Sequence, residues 1–379
     1  MKSILKNKSS NFFLIARGGL FLFGATIGVG IFALPEAVYR FGVGWGLVVL
    51  LLVGVVNWLL NLLYAQLVLG AGINCQLAGY GRHYLGKIGY FLGSLVLLVN
   101  INGALLAYLI GAGNFLNFLL PLGNYLYWGL IFFALVSVVV FYGLRVINKI
   151  NSKLIWLLIV LLIIFLFWGL GNLDVANLRA VNIQDRGNIL GLVSILFFSY
   201  ASFAVVPELG EINKFQKKPL LESITLGGIL TVVLYFFFVL VVIGLLGSST
   251  GANLIDNLAV VSPFWARILA VVAVLALVSS FFSFSFALRE FWYQDVGLGS
   301  NQALLVTLLP SLALYLLGVR NFTSVVSITG GVSSILMLVI IFSCWGKMKF
   351  NQRKPDSREK EKNRVGEPGL EPGASSSRC

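Results

Sequence analysis

The most informative part of this 379-residue sequence is GATIGVGIFALPE, residues 24–36, which lies inside the first long apolar run. It contains three glycines within seven residues and ends in a proline and a glutamate. Each glycine disfavours a helix by about 1 kcal/mol relative to alanine, so the pattern predicts a helix that unwinds part-way along its length. Close packing of small residues against a neighbouring helix is the alternative interpretation.

A second interrupted run, FFSYASFAVVPE at residues 197–208, also ends in a proline and a glutamate. Its Ser199, Tyr200 and Ser202 interrupt an apolar segment, although serine hydroxyls in such segments also bond to their own helix. Each interrupted run begins a set of five apolar runs. Because five crossings leave the chain on the opposite side of the membrane, the second set is inverted relative to the first. Interrupted segments at matching places in two halves indicate a transporter site, where free amides suit a carboxylate and free carbonyls suit a cation.

Composition places the chain in a membrane, because 59% of its residues are apolar and 11% are charged, whereas a soluble domain has about 25% charged residues. A membrane helix needs about 20 apolar residues. We therefore expect an all-α integral membrane protein with about ten transmembrane helices. The predicted spans are residues 12–35, 41–69, 88–119, 125–143, 154–171, 188–207, 223–247, 263–287, 301–318 and 322–345.

The formal charge of +13 is a topology signal and does not indicate binding to nucleic acid. With a cytoplasmic N-terminus, 22 of the 27 Lys and Arg residues lie inside and five lie outside, as the positive-inside rule requires. The sequence therefore predicts a plasma (cell inner) membrane protein with both termini in the cytoplasm. The predicted segments are a cytoplasmic N-terminus (1–11), a first five-helix repeat (12–171), an extracellular loop (172–187), an inverted second repeat (188–345) and a disordered basic cytoplasmic tail (346–379).

Acidic and metal-binding residues argue against several other classes of membrane protein. All 14 Asp and Glu residues lie in loops or at helix ends, which argues against a carboxylate proton relay and a ring-type cation channel. His83 is the only histidine and no cysteines have metal-binding spacing, so we expect neither an enzyme nor a metal site. The remaining classes are a transporter, or a channel or non-transporting amino-acid sensor on the same fold.

Three motifs resemble the amino acid–polyamine–organocation superfamily. Residues 24–36 are similar to its glycine-rich first helix, G-x-x-x-G-x-G-I-F-x-L-P, and residues 197–214 are similar to its sixth helix and following loop. Residues 289–298 resemble the loop after helix eight in its amino acid/auxin permease branch. The resemblance implies a leucine-transporter-type five-plus-five inverted repeat with broken helices 1 and 6. It also implies an ion-coupled secondary active transporter of amino acids that works by alternating access, although members commonly have eleven or twelve spans.

The same resemblance implies where the substrate binds. Amides of the first break meet the carboxylate of an amino acid, and carbonyls and hydroxyls of the sixth helix meet its ammonium group. An aromatic wall without carboxylates favours neutral or aromatic amino acids over polyamines, although a transporter of another small organic cation remains an alternative. The implied substrate site comprises Ala25, Thr26, Gly28, Val29, Gly30, Tyr108, Phe198, Ser199, Tyr200, Ala201, Ser202 and Phe203.

Helix 8 carries the residues expected to bind a coupling ion. In sodium-coupled relatives its hydroxyls and the carbonyls of helix 1 form an oxygen cage, which here implies Ser279 and Ser280 with Gly24 and Ile27. Oxygen ligands suit a hard cation, although each serine can instead bond to its own helix. Proton-coupled relatives often place a lysine of helix 5 at that position, and Lys153 is the nearest candidate. We expect no cofactor other than a coupling Na⁺ or H⁺, and the expected partners are an amino acid substrate and the lipid bilayer.

Overall fold

The computed structural model of the protein describes residues 2–73, 75–142, 144–179, 188–251 and 253–353. Side chains are considered for all of these except residues 2–10, 144–149, 152, 352 and 353. The predicted extracellular position of Arg186 and the predicted tail beyond residue 353 lie outside the described residues. Regular structure within the described ranges is entirely helical.

Fifteen α-helices follow one another along the described part of the chain, with short 3₁₀ and π turns between some of them. Their bounds are α1 Lys2–Thr26, α2 Gly30–Phe41, α3 Val43–Ala71, α4 Leu77–Leu85, α5 Lys87–Leu119, α6 Tyr125–Phe141, α7 Leu144–Asn172, α8 Val175–Leu178, α9 Ile189–Tyr200, α10 Val206–Ile212, α11 Lys217–Leu246, α12 Leu254–Val261, α13 Pro263–Glu290, α14 Ser300–Leu316 and α15 Phe322–Arg353.

Eight segments of the described residues are long and apolar enough to cross a membrane, and two shorter apolar helices take the places of the other two predicted spans. Seven are single long spans, and an eighth is the pair Asn11–Thr26 and Gly30–Phe41, which meet at an angle of 64°. Helices α6 and α14 have 17 residues each and complete the ten. Spans 1 to 10 are hereafter α1–α2, α3, α5, α6, α7, α9–α10, α11, α13, α14 and α15.

Spans at equivalent positions in the first five and the last five make matching contacts. Span 3 packs along span 10, and the corresponding members of the other repeat, spans 8 and 5, also pack along each other. Spans 3 and 8, which occupy the same position in the two repeats, contact one another directly, as do spans 2 and 7. The predicted five-plus-five organisation therefore appears in the contacts between helices.

Helices extend beyond the predicted membrane boundaries at both ends of the described chain. Helix α1 begins at Lys2, within the segment predicted as the cytoplasmic N-terminus. Helix α15 continues to Arg353, so residues 346–353 of the predicted disordered tail are helical. Lys, Met, Gln and Arg are good helix formers, and a helix can continue into water once its apolar part has crossed the membrane.

A buried aspartate ties the loop after span 8 to the loop between spans 2 and 3. The Asp295 carboxylate accepts hydrogen bonds from the amides of Gln76 (3.0 Å) and Gly79 (2.7 Å) at the start of α4. Gln76 provides no side-chain cap of its own to this helix. Instead its Nε2 donates to Glu208 of span 6 at 2.7 Å. This hydrogen-bond network connects spans 2, 6 and 8 at the face of the protein where span 1 begins, hereafter the amino-terminal face.

Replacing Asp295 by alanine should lower the stability of the protein by about 1–3 kcal/mol, because two buried amides lose their acceptor. Thermal unfolding of the purified protein in detergent measures this effect. Asp256→Ala is the control, since Asp256 is exposed and makes no ion pair with a described residue. Equal melting temperatures for the two variants would contradict the capping role of Asp295.

Candidate binding site at the two helix breaks

Span 1 unwinds at residues 27–29, between the end of α1 and the start of α2. The amide of Ile27 still donates to Phe23 as in a helix, but that of Gly28 turns back to the carbonyl of Thr26 at 2.9 Å. Among the described residues, the amide of Val29 has no backbone acceptor, and the amide of Gly30 is the first of α2. Free amides at the start of α2 are suited to bind an anion such as a carboxylate.

Two glycines allow neighbouring spans to approach this break closely. A methyl group at Gly28 would lie 3.1 Å from the hydroxyl oxygens of Tyr108 in span 3 and Ser280 in span 8. A methyl group at Gly30 would lie 2.8 Å from the Cα of Ser199 in span 6. The glycines therefore serve both roles considered from the sequence, because the helix breaks here and also packs closely.

Span 6 is interrupted without a sharp bend. Helix α9 ends at Tyr200, Ala201 and Ser202 are not helical, and a 3₁₀ turn leads into α10. The Ser202 hydroxyl accepts a hydrogen bond from Asn61 Nδ2 of span 2 at 2.9 Å, whereas the Ser199 hydroxyl donates to its own helix at Ile195. Both hydroxyls therefore form hydrogen bonds within the protein. The interruption of span 6 consists of the non-helical backbone at Ala201 and Ser202.

The four residues predicted to bind the coupling ion lie together. Ser279 Oγ is 3.3 Å from the carbonyl oxygen of Gly24, and Ser280 Oγ is 2.9 Å from that of Ile27. Ser280 Oγ also lies 3.4 Å from the carbonyl of Ala25, which was predicted to belong to the substrate site. The break in span 1 and the middle of span 8 thus form a cluster of oxygen atoms.

The three residues of the predicted aromatic pocket, Tyr108, Tyr200 and Phe203, contact different spans. The Tyr108 hydroxyl lies beside Gly28, and the turn Phe203–Val205 packs against span 8. Tyr200, however, stacks its ring on Tyr235 at 5.0 Å and directs its hydroxyl to Leu50 of span 2 at 3.4 Å. Spans 2 and 7 therefore hold the Tyr200 side chain, and its place in the substrate pocket stays a prediction.

The other predicted substrate residues around the breaks make contacts with neighbouring spans or with their own helix. The Thr26 hydroxyl donates to Leu22 one turn earlier at 2.7 Å. The Val29 side chain lies against Gly111 of span 3, and the Phe198 Cβ lies against Gly330 of span 10. Of these three, Val29 also lines a cavity.

That cavity, of about 480 Å³, opens towards the face opposite the amino-terminal face. It reaches the first break at Val29 and is also lined there by Phe32 and Phe115, whose ring centroids are 5.1 Å apart. Phe32 also contacts Phe238 of span 7 at 5.8 Å. Further out, the cavity is lined by Glu36, which forms an ion pair with Arg40 at 2.8 Å. No local signal in the sequence marks Phe32, Phe115 and Phe238 as a cluster, because the chain contains 30 phenylalanines.

Tyr235 also lies at the breaks and was not predicted from the sequence. Its hydroxyl oxygen is 2.9 Å from the carbonyl oxygen of Thr26 and 2.8 Å from that of Ser199. A signal was present in the sequence. Tyr235 is the only residue with a polar side chain in the otherwise apolar segment 232–246. A buried tyrosine hydroxyl usually finds a partner, which here is the backbone of both breaks.

Comparison with known proteins relates the whole span region to amino acid permeases. Residues 13–358 match the family model described as the tryptophan/tyrosine permease family. Glutamine transporter 2 of Aliivibrio fischeri is 25% identical over 371 residues, which cover 93% of this chain and 92% of that protein. Tyrosine-specific transport system 1 of Haemophilus influenzae is 27% identical over 236 residues, covering 60% of this chain and 57% of that protein.

A solved structure shares the architecture. The crystal structure of MhsT in complex with L-phenylalanine superimposes with a TM-score of 0.65 at 16% identity, over 91% of this chain and 93% of MhsT. At this identity the likeness concerns the fold alone, which is the leucine-transporter type. The predicted all-α fold class, with its inverted repeat and broken spans, is confirmed.

Proposed function

Since the chain belongs to the tryptophan/tyrosine permease family and is a secondary amino acid transporter, we propose that it carries aromatic amino acids together with a sodium ion. The substrate's carboxylate binds the amides of Val29 and Gly30 at the start of α2. Its ammonium group faces the carbonyl ends of α1 and α9, where helix dipoles supply negative charge.

The aromatic cluster at the inner end of the cavity carries the substrate proposal. Phe32 and Phe115 line the cavity where it reaches the first break, and Phe238 packs against the ring of Phe32. On the other side of that break, Tyr108 contacts Phe284 with ring centroids 6.2 Å apart. Edge-to-face contacts with such rings favour a phenyl, phenol or indole side chain. The names of a tyrosine-specific relative and of a phenylalanine complex agree with this substrate class.

Glutamine is the second candidate, because the cavity also presents several side-chain amides to a ligand. A relative that covers nearly the whole chain is named a glutamine transporter. Amide side chains can pair with the amide of glutamine through both donors and acceptors. The asparagines that line the cavity are Asn114, Asn117, Asn253 and Asn321.

Competition for uptake separates the two substrates. In proteoliposomes, excess unlabelled L-tryptophan or L-phenylalanine should reduce the uptake of radiolabelled L-tyrosine by at least about tenfold, and excess L-glutamine should leave it unchanged. L-Lysine serves as the control for non-specific effects of an amino acid. Inhibition by glutamine and none by the aromatic amino acids would replace the first proposal with the second.

Sodium is proposed as the coupling ion because four oxygen atoms of spans 1 and 8 lie together. Among the described side chains, no lysine ammonium group lies beside them. The residue of span 5 that packs on Gly24 is Ile155, since a methyl group at Gly24 would overlap the Ile155 side chain. Lys153, the candidate for a proton-coupled mechanism, is exposed. A hard cation suits a cluster of carbonyl and hydroxyl oxygens.

The amino-terminal face is proposed to lie in the cytoplasm of a cell whose plasma membrane holds the protein. The distribution of 22 basic residues on that side against five on the other supports this orientation. The cavity that reaches Val29 then opens to the outside. In this orientation an amino acid enters the described state from outside the cell.

A further inference from the structure

Tyr235 of span 7 lies where the two helix breaks meet, and it is fully buried. Its hydroxyl oxygen is 2.9 Å from the Thr26 carbonyl and 2.8 Å from the Ser199 carbonyl. Thr26 ends α1, and Ser199 is the residue before the end of α9. Both carbonyls therefore belong to the last turn of a helix, where carbonyls lack intrahelical donors and carry partial negative charge.

One hydroxyl cannot satisfy both of these carbonyls at once, because it carries a single proton. The Thr26 carbonyl has a second donor in the amide of Gly28 at 2.9 Å. Among the described side chains, only that of Tyr235 brings a hydrogen-bond donor to the Ser199 carbonyl. The tyrosine ring itself is held by the ring of Tyr200, 5.0 Å away, so the hydroxyl stays between the two breaks.

Span 7 is well placed to act as a support for this contact. It packs along α1 and along span 2, and α2 also contacts it. The hydroxyl of Tyr235 in this span contacts both span 1 and span 6, so a single side chain connects the two interrupted spans to a continuous helix. This one oxygen atom lies within hydrogen-bond distance of both the Thr26 and the Ser199 carbonyl.

We propose that Tyr235 is a positioning residue that holds the two carbonyls at the spacing at which both can accept hydrogen bonds from the protonated amine of the substrate. This inference rests on the proposed function, because it assumes that an amino acid binds at the breaks. An ammonium group carries three donors and can bond to both carbonyls, whereas the hydroxyl can donate to one. Tyr235 thus holds the two carbonyls in place before the substrate arrives. This lowers the entropy that is lost when the substrate binds.

The test is Tyr235→Phe, which removes the hydroxyl and keeps the ring that packs on Tyr200. We expect KM for L-tyrosine to rise by at least about tenfold, the effect of one lost hydrogen bond to a buried group, with a smaller change in kcat. The sodium concentration for half-maximal uptake should stay unchanged, because Gly24 and Ile27 accept from other hydroxyls. Tyr64→Phe is the matched control, since Tyr64 is also buried within a span and its hydroxyl has no partner among the described residues.

An unchanged KM in Tyr235→Phe, with the wild type transporting normally, would overturn the inference. A fall in kcat alone would also overturn it, because a purely structural role lowers the amount of working transporter without changing substrate affinity. Binding of radiolabelled L-tyrosine to the detergent-purified variant gives the same answer independently of delivery to the membrane. Absence of uptake by the wild type would instead count against the proposed function.

Discussion

Replacing Gly30 by valine should reduce amino acid uptake by about 100-fold or more, while the protein still inserts into the membrane. A side chain at this position meets the Cα of Ser199 at 2.8 Å, so the backbone of span 6 has to move. A shift of about 1 Å in a binding site can cost about 100-fold in rate. Uptake of radiolabelled L-tyrosine, divided by the amount of transporter in the membrane, measures the effect.

Gly44→Val is the control for this variant. Gly44 also lies in an apolar helix, but nothing lies within 4 Å of a methyl group placed there. We expect uptake by this variant to stay close to that of the wild type, because the valine meets no neighbouring atoms. The control therefore measures the effect of losing a glycine from an apolar helix. Normal uptake by Gly30→Val would show that the contact between spans 1 and 6 does not form part of the transport site.

Replacing Ser280 by alanine should raise the sodium concentration for half-maximal uptake by at least about tenfold, which corresponds to about 1.4 kcal/mol of lost binding energy. The Ser280 hydroxyl lies 2.9 Å from the carbonyl of Ile27 and so supplies one oxygen of the proposed sodium site. Ser279→Ala should act in the same direction through Gly24. Uptake measured over a series of sodium concentrations at constant ionic strength gives both values.

Two further serines of the same helix provide matched controls. The Ser283 hydroxyl donates to the carbonyl of Ser279 in its own helix, and the Ser285 hydroxyl is buried without a hydrogen-bond partner among the described residues. Alanine at either position should leave the sodium dependence unchanged. An equal effect of all four substitutions would mean that span 8 contributes its packing and not a specific pair of sodium ligands.

The parts of the site that were predicted from the sequence are those with a local signal. Three close glycines before Pro35 weaken a helix wherever they occur, so the break in span 1 was predictable. Hydroxyls at Ser279 and Ser280 stand out inside an apolar run, and the resemblance supplied Gly24 and Ile27 as their partners. The structure brings these four residues together.

The parts that were missed depend on contacts between distant residues. Tyr200 faces span 2 because spans 2 and 7 pack beside it, and its neighbours Ser199 and Ser202 gave no indication of that direction. Tyr235 bonds to a carbonyl 209 residues away along the chain. Asp295 caps a helix that begins more than 200 residues earlier. A single sequence contains the residues of such pairs but not their pairing.

Sodium-coupled transport of aromatic amino acids is the function that we propose for the protein. Uptake of L-tyrosine into proteoliposomes, with the sodium gradient and the pH gradient imposed separately, tests it most directly. Sodium coupling requires that L-tyrosine accumulates above its external concentration under an inward sodium gradient at equal pH on both sides. Accumulation only under an inward proton gradient, or no accumulation under either gradient, would contradict it.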